Sequence, residues 1–284
     1  MPTLHQVARK KRMTKDAKAI RAAIRQQLEA DQLLGVRSVP MACRVDAAHQ
    51  ENVTYAAGDA HSATEDNAKK THDKKNHVAF DKEHRLLALD ESQVKGCTQC
   101  GLSQTRTQTV FGQGSADARL MFVGEAPGFE EDKQGLAFVG RAGQLLTRMV
   151  EAMGLTRDEI YICNVLKCRP PGNRNPSSEE IIACSPFLHE QIAVVRPAVL
   201  VALGAPAAKT LLDTNEAIGK LRGRFHDYFL TDENEETLSI PLMPTYHPAY
   251  LLRSPGEKRK AWEDLQMVMK LLGLPIPEKP IGSS

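Results

Sequence analysis

The sequence lacks several features that would assign it to common protein classes. No apolar run approaches the roughly 20 residues that a membrane-spanning helix needs, and the basic N-terminus has no apolar central region typical of a secretory signal. The formal net charge is only +2, so a nucleic-acid partner would have to be bound by a local basic patch. No Gly-x-Gly-x-x-Gly motif follows the first predicted strand, which disfavours a nucleotide-binding oxidoreductase. A cytoplasmic protein is expected.

Six cysteines occur in the 284 residues, and disulfide bonds between them are not expected in a reducing cytoplasm. Cys97 and Cys100 form a Cys-x2-Cys pair, whereas 15 residues separate Cys168 from Cys184. Four thiolates from two distant segments could form a four-coordinate metal site. Zinc ribbons prefer two close pairs, and iron–sulfur clusters tolerate looser spacing, so the spacing alone leaves both metal centres open.

The first 78 residues differ in composition from the rest of the chain. Residues 1–27 contain eight lysines and arginines against one acidic residue, and a helix is predicted from Thr14 to Leu34. Residues 36–78 show no periodicity and have the composition of a linker. We interpret 1–78 as a largely disordered extension, 79–275 as the folded domain and 276–284 as a tail. The basic arm could contact nucleic acid or be a solvated tail.

Apolar segments alternate with amphipathic segments after residue 80. The predicted strands cover 118–123, 160–167, 197–204 and 239–246. The predicted helices cover 81–94, 141–153, a segment that starts at 177 or 178, a short stretch that ends at 212, and 257–272. This alternation predicts a three-layer α/β/α fold around a four-stranded parallel sheet.

Polar residues lie at or near the carboxyl ends of three predicted strands. They are Glu125, Asn164 and His247. Ligands bind at this edge of open α/β sheets, so we expect one site there. The loop at 124–128 contains two glycines, which let backbone approach a ligand closely. Asn164 interrupts an apolar strand and must bind either nearby backbone or a ligand, and Phe138 offers a flat surface for a planar ligand.

In this order and spacing, the motifs resemble the family 4 uracil-DNA glycosylases, the iron–sulfur branch of the uracil-DNA glycosylase superfamily. The resemblance covers residues 86–272 and is carried by Gly-Glu-Ala-Pro-Gly at 124–128, Gly-Leu-Ala-Phe-Val-Gly at 135–140, Cys-Asn-Val-Leu-Lys-Cys-Arg-Pro-Pro at 163–171 and His-Pro-Ala-Tyr-Leu-Leu-Arg at 247–253. Because the family places its cluster ligands at the four cysteines, the resemblance favours a 4Fe-4S cluster on Cys97, Cys100, Cys168 and Cys184.

The resemblance implies a monomeric DNA repair enzyme that flips uracil out of single- or double-stranded DNA and hydrolyses the N-glycosidic bond. The implied substrate-binding residues are Glu125, Ala126, Glu131, Phe138, Asn164 and His247, of which Glu125, Asn164 and His247 are also assigned to catalysis. Phe138 would stack on the base, Asn164 would read its N3–H and O4 edge, and His247 would donate a hydrogen bond to O2. The implied DNA contacts are Arg169, Arg174, Leu251, Leu252 and Arg253, with Lys167 as a further candidate and the two leucines as a wedge.

Ala126 stands where other branches of the superfamily carry an Asp or Asn that positions water. The resemblance therefore implies a dissociative hydrolysis in which the uracil anion departs first. Two alternatives are a cluster-bearing DNA-binding protein without activity and a relative that captures the abasic sugar through a histidine. The loop at 169–176 has no histidine, and His189 is the nearest one downstream. The extension is a candidate contact for a repair or replication protein, and a location at the nucleoid is expected.

Overall fold

A computed structural model of the protein describes residues 81–231 and 237–277. Helix α1 covers 81–89 and continues as a π-helical turn at Asp90–Val94. The following elements are β1 (Gln113–Gly114), β2 (Leu120–Gly124), α2 (Phe129–Gln134), α3 (Arg141–Ala152), β3 (Tyr161–Asn164), α4 (Ser178–Val195), β4 (Val199–Leu203), α5 (Ala205–Leu212), α6 (Ile218–Leu221), β5 (His226–Thr231), β6 (Thr237–Thr245), α7 (Pro248–Arg253) and α8 (Lys258–Leu272). Within these two ranges, no helix has the length and apolar character needed to cross a membrane. The predictions for residues 1–78 lie outside the described residues.

The six strands form one sheet in the order β1-β3-β2-β4-β6-β5. The four central strands run parallel, whereas β1 and β5 pair antiparallel at the two edges. The predicted parallel sheet is therefore confirmed as the centre of a larger mixed sheet. Sequence reasoning misses both edge strands because β1 has only two residues and β5 exposes every second side chain.

Helices cover both faces of the sheet, which confirms the predicted three layers. On one face α1, α4 and α5 pack against strand residues such as Met121 and Val123. On the other face α3 and α8 pack against residues such as Leu120 and Phe122. Successive side chains of a strand point to opposite faces, so β2 contributes to both cores and must be apolar throughout.

The carboxyl ends of β2, β3 and β6 meet at one edge of the sheet. Gly124 at the end of β2 pairs with Asn164 at the end of β3. Strand β6 ends at Thr245, two residues before His247. The amide of Gly204, directly after β4, donates to the carbonyl of Thr245 at 2.8 Å. The segments that follow these strands therefore begin side by side.

A buried carboxylate anchors the end of β6 to helix α8. Asp264 is fully buried and accepts a hydrogen bond from the Thr245 hydroxyl at 2.6 Å. It also forms an ion pair with Arg222 at 2.8 Å. Burial raises the pKa of Asp264, while both partners oppose that rise. These bonds fix the backbone just before His247.

Helix α4 begins where the sequence predicts, at a capping box. The hydroxyl of Ser177 accepts from the Glu180 amide at 3.2 Å, and the Glu180 carboxylate accepts from the Ser177 amide at 2.9 Å. Glu180 also binds both terminal nitrogens of Arg174. The cap therefore joins the loop after β3 to the helix that follows it.

Replacing Ser177 with alanine removes the acceptor for the Glu180 amide. We expect Ser177→Ala to lower the free energy of unfolding by about 1 kcal/mol. Ser178→Ala, one residue further along at an exposed position, is the matched control and should change that free energy by less than about 0.5 kcal/mol. Urea unfolding measures both, and wild-type stability of Ser177→Ala would contradict the capping role.

Candidate active site

The segments at the carboxyl edge of the sheet enclose a cleft of about 420 Å³. Its walls come from the loop after β2, helix α2, the segment before α3, the loop after β3, and helix α7. Of the site residues expected from the sequence, those that line the cleft are Glu125, Ala126, Glu131, Phe138, Asn164, Arg174, His247 and Arg253. Further lining comes from Pro170, Asn173, Asn175 and Tyr250, which sequence reasoning does not single out.

Gly124 allows Asn164 and Phe138 to meet at the floor of the cleft. A Cβ atom at this position would overlap with Asn164 Oδ1 and with the Phe138 ring. Any side chain at 124 would therefore displace one of these two groups. The first glycine of the loop is needed for close packing inside the site.

Asn164 carries an unpaired acceptor. Its side chain is 1% exposed, and Oδ1 is buried with no hydrogen-bond partner among the described residues. Leaving such an atom unpaired costs about 1–3 kcal/mol, and native proteins contain few of them. Since Asn164 lines the cleft, a donor on a bound ligand can satisfy this oxygen.

The backbone of Asn164 is held by a buried lysine. Lys167 is 1% exposed, and its Nζ donates to the Asn164 carbonyl at 2.7 Å and to Gln191 Oε1 at 2.6 Å. Gln191 Nε2 in turn donates to the Phe111 carbonyl at 2.9 Å and to the Tyr161 hydroxyl at 3.1 Å. Lys167 therefore cannot contact phosphate, contrary to the expectation from the sequence. The only sign of this buried role in the sequence is that Lys167 lies at the end of an apolar segment.

Phe138 forms an apolar wall next to His247. The two ring centroids are 5.7 Å apart, and their planes differ by 33°. Phe138 has φ +55°, a left-handed conformation that costs about 1–2 kcal/mol in a residue with a side chain. A Cβ atom on Gly143 of α3 would overlap with the Phe138 carbonyl, so that glycine lets the helix press against this backbone.

Glu131 binds backbone next to Phe138. Its Oε1 accepts from the amides of Val139 and Gly140, both at 2.9 Å. Gly140 is the N-cap of α3, where backbone amides lack partners within the helix. The carboxylate therefore holds the wall of the cleft in place, whereas a contact with a base remains a prediction.

His247 presents a neutral hydrogen-bond donor. Its Nδ1 accepts from the Ala249 amide at 3.1 Å, so in the neutral ring the proton lies on Nε2. Burial, reinforced by the charge of Arg253 and opposed by Glu131, lowers the pKa of His247 to about 4. The imidazole is therefore uncharged near pH 7 and can donate from Nε2.

The loop after β2 is fixed by hydrogen bonds that extend the sheet. The carbonyls of Gly124 and Glu125 accept from the amides of Val165 and Leu166 at 2.9 and 3.1 Å. Burial raises the pKa of the Glu125 carboxyl. Ala126 lines the cleft with a methyl group alone, which can neither position nor deprotonate water.

The arginines at the cleft have different surroundings. Arg253 on α7 is exposed and lines the cleft. Arg174 also lines it, but its guanidinium is paired with Glu180 at 2.6 Å. Arg169 does not line the cleft. Its guanidinium carbon, Cζ, instead lies 5.0 Å from the ring centroid of Phe129.

The two leucines expected to form a wedge lie in different environments. Leu251 is 1% exposed and packs with Leu145 and Ala261, so the structure does not support a wedge role for it. Leu252 is 39% exposed. Consecutive residues of a helix point about 100° apart, and the direction of α7 selects Leu252 as the exposed one.

The four cysteines from two distant segments line a second cavity. Cys97 and Cys100 lie before the first 3₁₀ turn, Cys168 follows β3, and Cys184 lies on α4. In 81–231 and 237–277, no three Cys, His, Asp or Glu side chains converge as ligands of a single metal ion. The cavity nevertheless contains all four cysteine thiols that the family resemblance implies as cluster ligands.

Hydrogen-bond donors point at two of these sulfurs. Arg106 Nη1 donates to Cys168 Sγ at 3.3 Å, and the Lys167 amide donates to Cys184 Sγ at 3.2 Å. Burial raises the pKa of both thiols, that of Cys184 to about 11. Such thiols become good ligands only when a cation stabilises the thiolate.

His189 lies away from the cleft. It is on α4, and its Nδ1 is 2.6 Å from the Tyr228 hydroxyl on β5. The histidine that lines the cleft is His247. A nucleophilic role for His189 therefore has no geometric support.

The lowered pKa of His247 predicts a pH dependence of stability. The unfolded chain binds a proton at this histidine near pH 6.5 and the folded protein only near pH 4, so the unfolded state binds more protons between these values. The free energy of unfolding should therefore fall as the pH falls through this window. Each pKa unit corresponds to about 1.4 kcal/mol.

We expect His247→Gln to lose this part of the pH dependence. Urea unfolding of the wild type and the variant, at steps from above pH 6.5 to about 4, measures the difference between them. As the pH falls, the free energy of unfolding of the wild type should decrease relative to that of the variant. A constant difference across the window would contradict the assignment.

Comparisons with known proteins agree with this geometry. The family model described as "Uracil DNA glycosylase superfamily" matches residues 111–266. A type-4 uracil-DNA glycosylase of Thermotoga maritima is 45% identical over 184 residues, which cover 64% of this chain and 92% of the relative. One of Saccharolobus solfataricus is 41% identical over 200 residues, 69% of this chain and 88% of the relative. A type-5 uracil-DNA glycosylase of Pyrobaculum aerophilum is 33% identical over 153 residues, 49% of this chain and 64% of the relative.

The matched segment contains all six strands and every residue that lines the cleft. The identity to the type-4 relatives extends over most of their length. The chain belongs to the uracil-DNA glycosylase superfamily.

Proposed function

We propose that this protein is a uracil-DNA glycosylase that accepts uracil flipped out of DNA, hydrolyses the N-glycosidic bond and leaves an abasic site. The observation that carries this proposal is the unpaired Oδ1 of Asn164, buried at the floor of the cleft next to Phe138. A base flipped out of DNA is read at its Watson–Crick edge and stacks on an apolar side chain. The floor of the cleft provides both.

Uracil satisfies the Asn164 amide and cytosine does not. Uracil offers a donor at N3 and an acceptor at O4, which match the oxygen and the nitrogen of the amide. Cytosine offers an acceptor at N3 and a donor at N4, so two acceptors would face each other at the unpaired oxygen. Two buried acceptors that face each other without a donor cost free energy of binding. Lys167 holds the backbone of Asn164 through a hydrogen bond to its carbonyl.

His247 stabilises the leaving group. When the bond between N1 and C1′ breaks, its electron pair passes to the base and negative charge builds at O2. A neutral imidazole with its proton on Nε2 can donate a hydrogen bond to that oxygen. Because the pKa of His247 is about 4, the ring acts near pH 7 as a donor of a hydrogen bond and does not need to transfer its proton.

Ala126 indicates a dissociative reaction. With only a methyl group at this position, no side chain here activates water, so departure of uracil precedes attack. Water then adds to the oxocarbenium sugar at C1′ and loses a proton to solvent, and the uracil anion takes up a proton after release. Glu125 shapes the loop through its backbone and needs no role as a base.

Arg253 and Leu252 are the residues best placed to contact DNA. Both are exposed on α7, and Arg253 lines the cleft. Arg253 would bind phosphate, and Leu252 would fill the space that the flipped base leaves. Arg174 also lines the cleft, but its guanidinium is paired with Glu180 at 2.6 Å.

We propose that Cys97, Cys100, Cys168 and Cys184 hold a 4Fe-4S cluster. Four thiols from two distant segments share one cavity, and iron–sulfur clusters accept four cysteines at a looser spacing than zinc ribbons do. Donors from Arg106 and Lys167 to two sulfurs are typical of the hydrogen bonds around such a group. When bound, the cluster would supply metal–thiolate bonds that link the segment after α1, the end of β3 and helix α4.

Release of free uracil from a labelled oligonucleotide tests the proposed activity. We expect release from uracil-containing DNA and not from the same strand with cytosine. Binding without release would favour the non-catalytic alternative, and a complex that survives hot detergent would favour covalent capture.

Replacing His247 with alanine should lower the single-turnover rate about 10²–10³-fold, the usual cost of one lost oxyanion donor. Ala126→Asp should change that rate only modestly, because the reaction does not depend on a base at this position. Both rates are measured with enzyme in excess over the oligonucleotide. A rate that is indifferent to His247→Ala would contradict the mechanism.

Purified protein should contain iron and absorb in the visible blue region. Cys184→Ser removes one proposed ligand and should lose both signals, whereas Cys163→Ala, a buried thiol that does not line the cysteine cavity, is the control and should retain them. Zinc in place of iron, or equal iron content in both variants, would contradict the cluster assignment.

A further inference from the structure

We propose that Arg157 is a positioning residue that holds Phe138 in the conformation needed for stacking on the base. The inference rests on the proposed function of the cleft. Arg157 does not line the cleft and has no part in the mechanism described so far. Its side chain reaches the wall of the site from behind.

The guanidinium binds the two carbonyls that flank the Cα atom of Phe138. Nη2 donates to the Ala137 carbonyl at 2.8 Å, and Nη1 donates to the Phe138 carbonyl at 3.2 Å. Nη1 also donates to Thr147 Oγ1 on α3 at 3.1 Å. One planar group thus ties two consecutive carbonyls to the neighbouring helix.

These bonds act where the backbone needs support. Phe138 has φ +55°, and a non-glycine residue persists in that region only when its surroundings hold it there. Helix α3 presses on the same carbonyl at Gly143. The contacts of Arg157 and Gly143 therefore define where the Phe138 ring lies relative to Asn164 and His247.

The position of Arg157 is itself fixed. It opens a 3₁₀ turn that starts with a capping box, in which Glu159 accepts from the amide and hydroxyl of Thr156 at 2.8 and 2.9 Å. The turn leads directly into β3, whose last residue is Asn164. The same segment therefore carries the base-reading amide at one end and the support of the stacking wall at the other.

A lysine cannot replace this group. The guanidinium is a planar fork with five donors, whereas an ammonium is a point charge. Burial lowers the pKa of Arg157, which reflects the partial exclusion of water from hydrogen bonds that are strengthened by charge. Arg157→Lys should keep the charge and lose the simultaneous hold on both carbonyls.

A double-mutant cycle tests whether Arg157 acts through Phe138. Arg157→Met should lower kcat/KM for uracil release by about 10–100-fold, the range expected for a misplacement near 1 Å, and Arg157→Lys should restore only part of it. In the Phe138→Ala background both changes should shrink to less than about 3-fold, because the group that Arg157 positions is gone. Full additivity of the single changes would overturn the proposal.

Thr147→Val provides a second variant that leaves Arg157 in place if Arg157→Met fails to fold. It removes one acceptor of the guanidinium with little change of shape, and it should give a smaller loss that also disappears in the Phe138→Ala background. Circular dichroism verifies the fold of each variant. Additive behaviour of Thr147→Val would count against the proposal in the same way.

A fluorine spectrum separates this inference from the proposed function. Protein labelled with 4-fluorophenylalanine should show a Phe138 resonance, assigned from its loss in Phe138→Leu, that shifts or broadens in Arg157→Met. Unchanged resonance position and width would overturn the positioning role even if uracil release is confirmed. Absence of uracil release by the wild type would refute the proposed function and leave this spectrum as the test of the contact.

Discussion

The buried ammonium of Lys167 connects the cleft at the carboxyl edge of the sheet with the cysteine cavity. A charge inside a protein is tolerated only when acceptors surround it, and here these are the Asn164 carbonyl and Gln191 Oε1. The backbone amide of the same lysine donates to Cys184 Sγ. One residue therefore contacts the floor of the cleft through its side chain and the cysteine cavity through its backbone. Thiolates in that cavity would add negative charge near the ammonium.

At the positions that would meet the base in the proposed reaction, the cleft contains few charges. Asn164 provides an acceptor that has no partner in the part of the chain that the structure describes, and His247 provides a donor on an uncharged ring. In water, both groups would add little to the binding of a base, because they would form hydrogen bonds with solvent equally well. In a buried site with fixed orientation, such dipoles stabilise developing charge without first having to reorganise. The chemistry of the site therefore depends on how firmly the surrounding backbone holds these two side chains.

Much of the fold and the location of the site could be predicted from the sequence because they follow from one-dimensional patterns. Continuous apolar runs identify the parallel strands, and the polar residues after those runs identify the carboxyl edge where Asn164 and His247 meet. The exposure of Leu252 and burial of Leu251 could not be predicted, since it depends on the direction of a six-residue helix. The partners of Arg157 and Lys167 could not be predicted either, because backbone carbonyls and side-chain oxygens become their acceptors only in the folded chain.

The arrangement suits a reaction that asks little of any single reactive group. With Ala126 in the loop after β2, no side chain there can activate water, so in the proposed reaction the rate would come from binding the base in the orientation in which its negative charge is stabilised. The surrounding backbone determines how a base is oriented in the cleft. Here that backbone includes Gly124, which has no room for a methyl group, and Phe138, which is strained. Both are costs to stability that a simple ligand pocket would not need. Their presence at the floor and wall of one cleft is the expected outcome when stability is exchanged for a preorganised site.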